Sequence, residues 1–178
     1  MKTLVIIGST RENRRTADAA KLVNEEINKQ GHKSEIFDLK QKEIPFLGNR
    51  SYTDEEPTPP DIEQLSKKVE ETDCVIIAAP EYNHSIPGVL KNALDYLYPE
   101  YEDKPFAYIT TSAGGFGGIR ALDHLQDITL ALKGYPGPSL QVSNIRDKFE
   151  DGELTDQEYR QKVQHFIQET EKHISKLK

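Results

Sequence analysis

With a single cysteine, Cys74, this chain of 178 residues cannot form a disulfide within itself. That cysteine lies inside an apolar run, so it reads as an inert core residue suited to a reducing compartment. Positive charge is scarce as well: 23 Lys and Arg against 30 Asp and Glu give a formal net charge of −7. No basic stripe offsets that balance, which disfavours nucleic acid and anionic membrane surfaces as partners. No stretch approaches the roughly 20 apolar residues of a membrane helix, and the apolar run in the opening MKTLVIIGST is too short for the core of a signal peptide. A soluble, cytoplasmic protein is the expectation. Internal repeats and low-complexity tracts are lacking too, so with 35% hydrophobic residues the chain is expected to form one domain over residues 1–178.

What is present is a regular alternation of strand and helix signals. Cys74–Ala79 is a continuous apolar run of strand length, the pattern of a strand covered on both faces. Pro80 is expected to stop its ladder, and Pro87 to occupy the first turn of a helix capped by Ser85 or Ile86, with Val89, Leu90, Ala93, Leu94 and Leu97 on one face. Upstream, Lys2–Gly8 reads as a strand, Thr16–Lys29 as a helix closed by Gly31, and Ser34–Leu39 as an edge strand. A polar, proline-bearing connection over Gln41–Pro60 leads to a short helix through Ile62, Leu65 and Val69. Downstream, Lys104–Thr111 is a strand, Ile119 to Leu132 a helix, and Ser139–Val142 a last strand. The segment Ser143–Leu154 carries no clear signal, and Thr155 with Glu158 reads as a capping box opening a terminal helix. Five strands alternating with five helices imply an α/β fold: a doubly wound, five-stranded parallel sheet in the flavodoxin-like order 2-1-3-4-5.

In that order the loops after the first, third and fourth strands converge on one sheet edge, where open α/β sheets bind ligands. The first loop, Gly8 to Thr16, offers Ser9, three arginines and the free amides of a helix N-terminus, the makings of an anion site. It has neither the Gly-Lys-Ser/Thr ending of a P-loop nor the third glycine of a dinucleotide fingerprint, so a phosphomonoester fits better than a nucleoside triphosphate or pyrophosphate. Arg11 needs an anion, because a cation is unfavourable at the positive end of a helix. Arg14 and Arg15 admit two readings, phosphate ligands or solvated surface charges. The loop Pro80–Ser85 holds Glu81, Tyr82, Asn83 and His84, a set that suits contact with a planar ligand. The glycines at 114, 115, 117 and 118 allow close backbone approach and outward amides. Apart from His84 these loops lack a proton-transfer residue, and they have no cysteine or acid pair for nucleophilic or acid–base catalysis. No catalytic side chain and no metal site is expected.

Three stretches together resemble the NADPH-dependent FMN reductases, which include azoreductase and quinone reductase relatives. They are Gly8–Arg11; Pro80–Gly88 with Leu90–Asp95; and Ser112–Gly115 with Gly117, Gly118 and Arg120. The resemblance implies that Ser9, Arg11 and the turn Arg14, Arg15, Thr16 hold the FMN phosphate. It implies that Pro80, Glu81, Tyr82 and Asn83 line the isoalloxazine ring with His84 beside them, and that Ser112, Ala113, Gly114 and Gly115 meet its pyrimidine end. It further implies NADPH or NADH as reductant, a small-molecule electron acceptor, chemistry carried by the flavin, and a homodimer or homotetramer using the helix after the third strand. A flavodoxin-type electron carrier shares the fold and the cofactor, but its phosphate loop is typically rich in Ser, Thr, Gly and Asn where this one has arginines. A phosphoacceptor signalling domain would need acids where the chain has Gly8-Ser9 and Ala79-Pro80.

Overall fold

Alternate residues of the inner strands face opposite ways, and both directions are apolar, so the sheet must be covered on two sides. The computed structural model describes residues 1–48, 58–150 and 152–178. Five parallel strands, β1 (Lys2–Ile7), β2 (Lys33–Asp38), β3 (Cys74–Pro80), β4 (Phe106–Thr111) and β5 (Ser139–Val142), pair in the order β2-β1-β3-β4-β5. This is the flavodoxin-like arrangement. Val5, Ile7, Ile76, Ala78, Ala107 and Ile109 meet α1 (Arg15–Lys29) and α5 (Gln157–Leu177) on one face. Leu4, Ile6, Val75, Ile77, Phe106 and Tyr108 meet α2 (Pro60–Glu70), α3 (Gly88–Asp95) and α4 (Ile119–Ala131) on the other.

Several local expectations shift, each for a physical reason. Pro80 is the last residue of the third strand rather than a stop placed before it: it pairs in register opposite Thr111, and the Glu81 N–H beyond it still donates to Thr111 O at 3.0 Å. Proline removes one amide hydrogen, and the bonds from β3 to β4 leave from alternate residues, Val75 at one end and Glu81 at the other, so the hydrogen missing at Pro80 is not one of them. Pro87 is the N-cap of α3 rather than its first residue, with extended backbone, and neither Ser85 nor Ile86 caps it. That helix stops at Asp95, so Leu97 packs from beyond it, and Tyr101 follows on a 3-10 turn with its ring against Phe106. The terminal helix is capped one residue later than expected: Asp156 accepts from the Tyr159 N–H at 2.8 Å, while the Thr155 hydroxyl donates to Lys148 O. The segment after β5 forms a 3-10 turn, Ile145–Asp147, and a small antiparallel hairpin, β6 (Phe149–Glu150) with β7 (Glu153–Leu154). Of the connection after β2, residues 49–57 lie outside the described part.

Two glycines bring the site loops close. A Cβ on Gly8 would meet Leu90 Cδ2 at 2.6 Å, so α3 sits hard against the end of β1. Gly118, at φ 80°, is the left-handed N-cap of α4, and a Cβ there would press Thr110 at 3.0 Å. Both positions depend on the absence of a side chain.

Candidate active site

The carboxyl ends of β1, β3 and β4 bring their loops around a cavity of about 190 Å³. Of the residues singled out from the sequence, Ser9, Arg11, Arg14, Arg15, Thr16, Pro80, Glu81, Tyr82, Ser112 and Ala113 line it. Asn83, His84, Gly114 and Gly115 are exposed on the same loops, outside that lining. The structure adds Arg146, from the turn after β5, a residue that belongs to no periodic stretch or motif.

Hydrogen bonds sort the polar side chains into those already committed and those left over. The Arg14 guanidinium forms a two-pronged ion pair with Asp38 at the end of β2 and also donates to the Ser9 carbonyl. With both partners largely buried, that charge is spent inside the fold. Arg15 lies 3.3 Å from Asp18, one turn along α1. The buried Thr16 hydroxyl pairs with Thr111 Oγ1 at 2.7 Å and locks the start of α1 to the end of β4. Glu12 is neutralised from outside by Lys40 at 2.7 Å, which holds its carboxyl below the usual carboxylate range. Arg11 and Arg146 have no carboxylate within ion-pair distance among the described residues; Arg11 instead stands 5.6 Å from the Tyr82 ring centroid.

Glu81 settles which helix terminus is open. Its carboxylate accepts from the N–H groups of Arg120 at 3.0 Å and Ala121 at 3.4 Å, so the N-terminus of α4 is already capped by an anion from the fold. The N-terminus of α1 has no side-chain cap, since its N-cap residue is Arg14. The positive pole available to a ligand is therefore that of α1.

The middle loop is a two-residue hairpin turn. Tyr82 N–H donates to Ser85 O at 2.8 Å and Ser85 N–H to Tyr82 O at 3.0 Å, with Asn83 and His84 at φ 49° and 65°. Left-handed geometry at both central residues is the type I′ pattern; it suits Asn83 and strains His84. Two bonds fix the loop's sides: Tyr82 Oη lies 3.2 Å from Ser9 Oγ, and Ser85 Oγ lies 2.9 Å from His124 Nδ1. In the third loop the glycines divide. Gly117 and Gly118 have positive φ and crowded surroundings that the fold itself demands, whereas a Cβ on Gly114 or Gly115 would meet nothing within 4 Å.

The profile of the NADPH-dependent FMN reductases matches residues 1–147. The chain belongs to the NADPH-dependent FMN reductase family. The FMN-dependent NADPH-azoreductase of Staphylococcus aureus is 34% identical over 175 residues, covering 94% of this chain and 92% of that protein. Among solved structures, the flavoenzyme NAD(P)H:acceptor oxidoreductase FerB of Paracoccus denitrificans superposes with a TM-score of 0.77 at 26% identity, over 97% of this chain and 99% of that one. An azoreductase of Bacillus anthracis shares the fold with a TM-score of 0.63 at 14% identity, over 99% of this chain and 100% of that one. Membership makes the chain an FMN-dependent, NAD(P)H-driven oxidoreductase rather than a carrier without nicotinamide turnover. No helix among the described residues is long and apolar enough to cross a membrane.

The residues present fit FMN. Surplus guanidinium charge gathers at the uncapped N-terminus of α1, which suits a phosphate dianion, and Gly114 and Gly115 leave backbone open with nothing among the described residues within 4 Å of where a Cβ would stand. The cavity is smaller than the about 300–1,000 Å³ of a site that encloses a whole ligand. It therefore suits the phosphate end, with the ring end against the more open second and third loops.

Proposed function

We propose that the chain, acting as a single domain over residues 1–178, seats FMN where the three loops meet and reduces small acceptors by a ping-pong cycle. The observation that carries this reading is the uncapped α1 N-terminus beside Arg11, which has no carboxylate in ion-pair distance among the described residues, on a cavity whose other walls come from the second and third loops and the turn after β5. Ser9, Arg11, Arg15 and the amides opening α1 would hold the phosphate, with Arg14 and Thr16 shaping the turn. Pro80, Glu81, Tyr82 and Asn83 would line the ring, with His84 at the tip of their turn; Ser112, Ala113, Gly114 and Gly115 would face its pyrimidine end.

When bound, FMN would supply the redox chemistry that links NADPH or NADH to the acceptor. The chain's own contribution is placement and electrostatics. Arg11 draws the phosphate in, the Tyr82–Ser9 contact joins the loop under the phosphate to the loop beside the ring, and amides around Gly114 and Gly115 stabilise negative charge at the pyrimidine end. The lining holds no histidine, cysteine or lysine, and its two acids, Glu12 and Glu81, are engaged by Lys40 and by the α4 amides. His84 lies outside it.

Azo compounds are the first acceptors to try, because the 34% identical relative is an azoreductase, followed by quinones and free flavin. The lone buried Cys74 supports the cytoplasm as the compartment. A homodimer or homotetramer is supported by the groove between α3 and α4, about 470 Å³, in which Ile86 and Ile128 stand among Ser85, Lys91, His124 and Asp127. Initial rates at several fixed NADPH concentrations test the cycle. Parallel double-reciprocal lines against acceptor are expected; intersecting lines, showing both substrates bound at once, would refute it.

A further inference from the structure

The structure brings to the phosphate end a residue that neither the first-loop motif nor helix periodicity reaches. We propose that Arg146 is a ligand of the FMN phosphate, joining Arg11 at the anion site. The inference rests on the FMN reading above.

Main chain, not side chain, sets where Arg146 stands. Asn144 takes left-handed backbone at φ 49°, its N–H donates to Gly114 O at 3.0 Å, and the next N–H, of Ile145, donates to Ser112 O at 3.1 Å. Ile145 is buried against the core shared with α1, and the turn Ile145–Asp147 packs on that helix. The turn is thus stapled to the third loop at one end and to the helix that offers its N-terminus at the other. Arg146, exposed on that turn, lines the same cavity as Ser9, Arg11 and Thr16.

Charge then points to what the guanidinium is for. Arg14 is spent on Asp38, Arg15 is shared with Asp18, and Glu12 is matched by Lys40. Glu81 is held by the α4 amides. That leaves Arg11 and Arg146 facing a cavity at the positive end of α1 with no carboxylate of their own among the described residues, an arrangement that repels itself until an anion enters. A phosphomonoester carries about −1.5 to −2 charges near neutral pH, enough to engage both guanidinium groups.

The test is the affinity of the apoprotein for two flavins that differ only in the phosphate. Arg146→Ala and Arg146→Gln should each weaken FMN binding by about tenfold or more, the scale of a lost charge-assisted hydrogen bond, and leave riboflavin affinity unchanged. Thermal unfolding of both variants should match the parent, since Ile145 and the backbone bonds anchor the turn. Unchanged FMN affinity would overturn the proposal, and an equal loss for FMN and riboflavin would mean that Arg146 only shapes the loop. A rise in KM for NADPH but not NADH, with FMN affinity intact, would overturn it in favour of a contact to the nicotinamide cofactor's 2′-phosphate. A parent protein that binds neither flavin would instead remove the FMN reading on which the proposal stands.

Discussion

A guanidinium at the positive end of a helix is unfavourable until an anion joins it, and Arg11 stands there beside the Tyr82 ring with no carboxylate in ion-pair distance among the described residues. Replacing it with Ala removes no buried contact, so its effect belongs to the ligand. Arg11→Ala should weaken FMN by about 1.5–3 kcal/mol, roughly tenfold to over a hundredfold, and spare riboflavin; calorimetric titration of the two flavins reads the difference. An equal loss for both would move the phosphate elsewhere. The neighbouring arginines show where local reading stops. That a polar loop between residues 8 and 16 leads into an open helix N-terminus is legible from strand, polar loop and helix in succession. Which of its arginines stays free is not, because Asp38, the partner of Arg14, is placed by the pairing of β2 with β1 and sits 24 residues away. Glu81 is a similar case: its role as cap of α4 depends on two loops meeting, and nothing in its own sequence neighbourhood announces it.

Between elements, the strands and the helix faces follow from apolar patterning alone, while the termini depend on which of several adjacent polar residues takes the cap. Thr155, Asp156 and Glu158 all suit the start of α5; Asp156 takes it because Lys148, delivered by the turn after β5, draws its carboxylate into place. Asp156→Ala should cost about 1 kcal/mol, the usual worth of such a cap. Its pH dependence has a definite sign. The Lys148 ammonium first, and then the Tyr159 N–H, hold the Asp156 carboxyl below its ordinary range, so the folded state binds that proton less readily than the unfolded chain. The stabilisation is whole above the unfolded value of about 4 and is lost as pH falls through the lower folded value. Parent and Asp156→Ala unfolding free energies should thus differ at neutral pH and converge in acid; a gap that widens on acidification would contradict the assignment. The hairpin Phe149–Leu154 escaped the sequence because its strands have two residues each, too short for alternation to register.

For the molecule as a whole, strand order was legible because five apolar runs separated by helical ones leave few right-handed windings, and the site followed from that order. Assembly was less so. Of Tyr96, Leu97, Tyr98 and Tyr101, at and beyond the end of α3, all are buried within the chain except Tyr98, which is half-buried. What remains for a second copy is the groove beside Ile86 and Ile128, with the exposed Leu130 nearby on α4. Light scattering at micromolar concentrations should give a multiple of the 20.2 kDa chain mass, and Ile128→Glu, which puts a charge in that groove, should shift it toward the monomer. A parent protein that is monomeric throughout would show that one subunit shapes the site alone.

The central claim, that three loops at one sheet edge seat an FMN reducible by a nicotinamide cofactor, is tested most directly by the visible spectrum of the purified protein reconstituted with FMN. One bound flavin per chain, its yellow absorbance bleached by anaerobic NADPH and restored by an azo dye or quinone, is the predicted result. Protein that takes up no FMN, or whose bound flavin stays oxidised under NADPH, would contradict it.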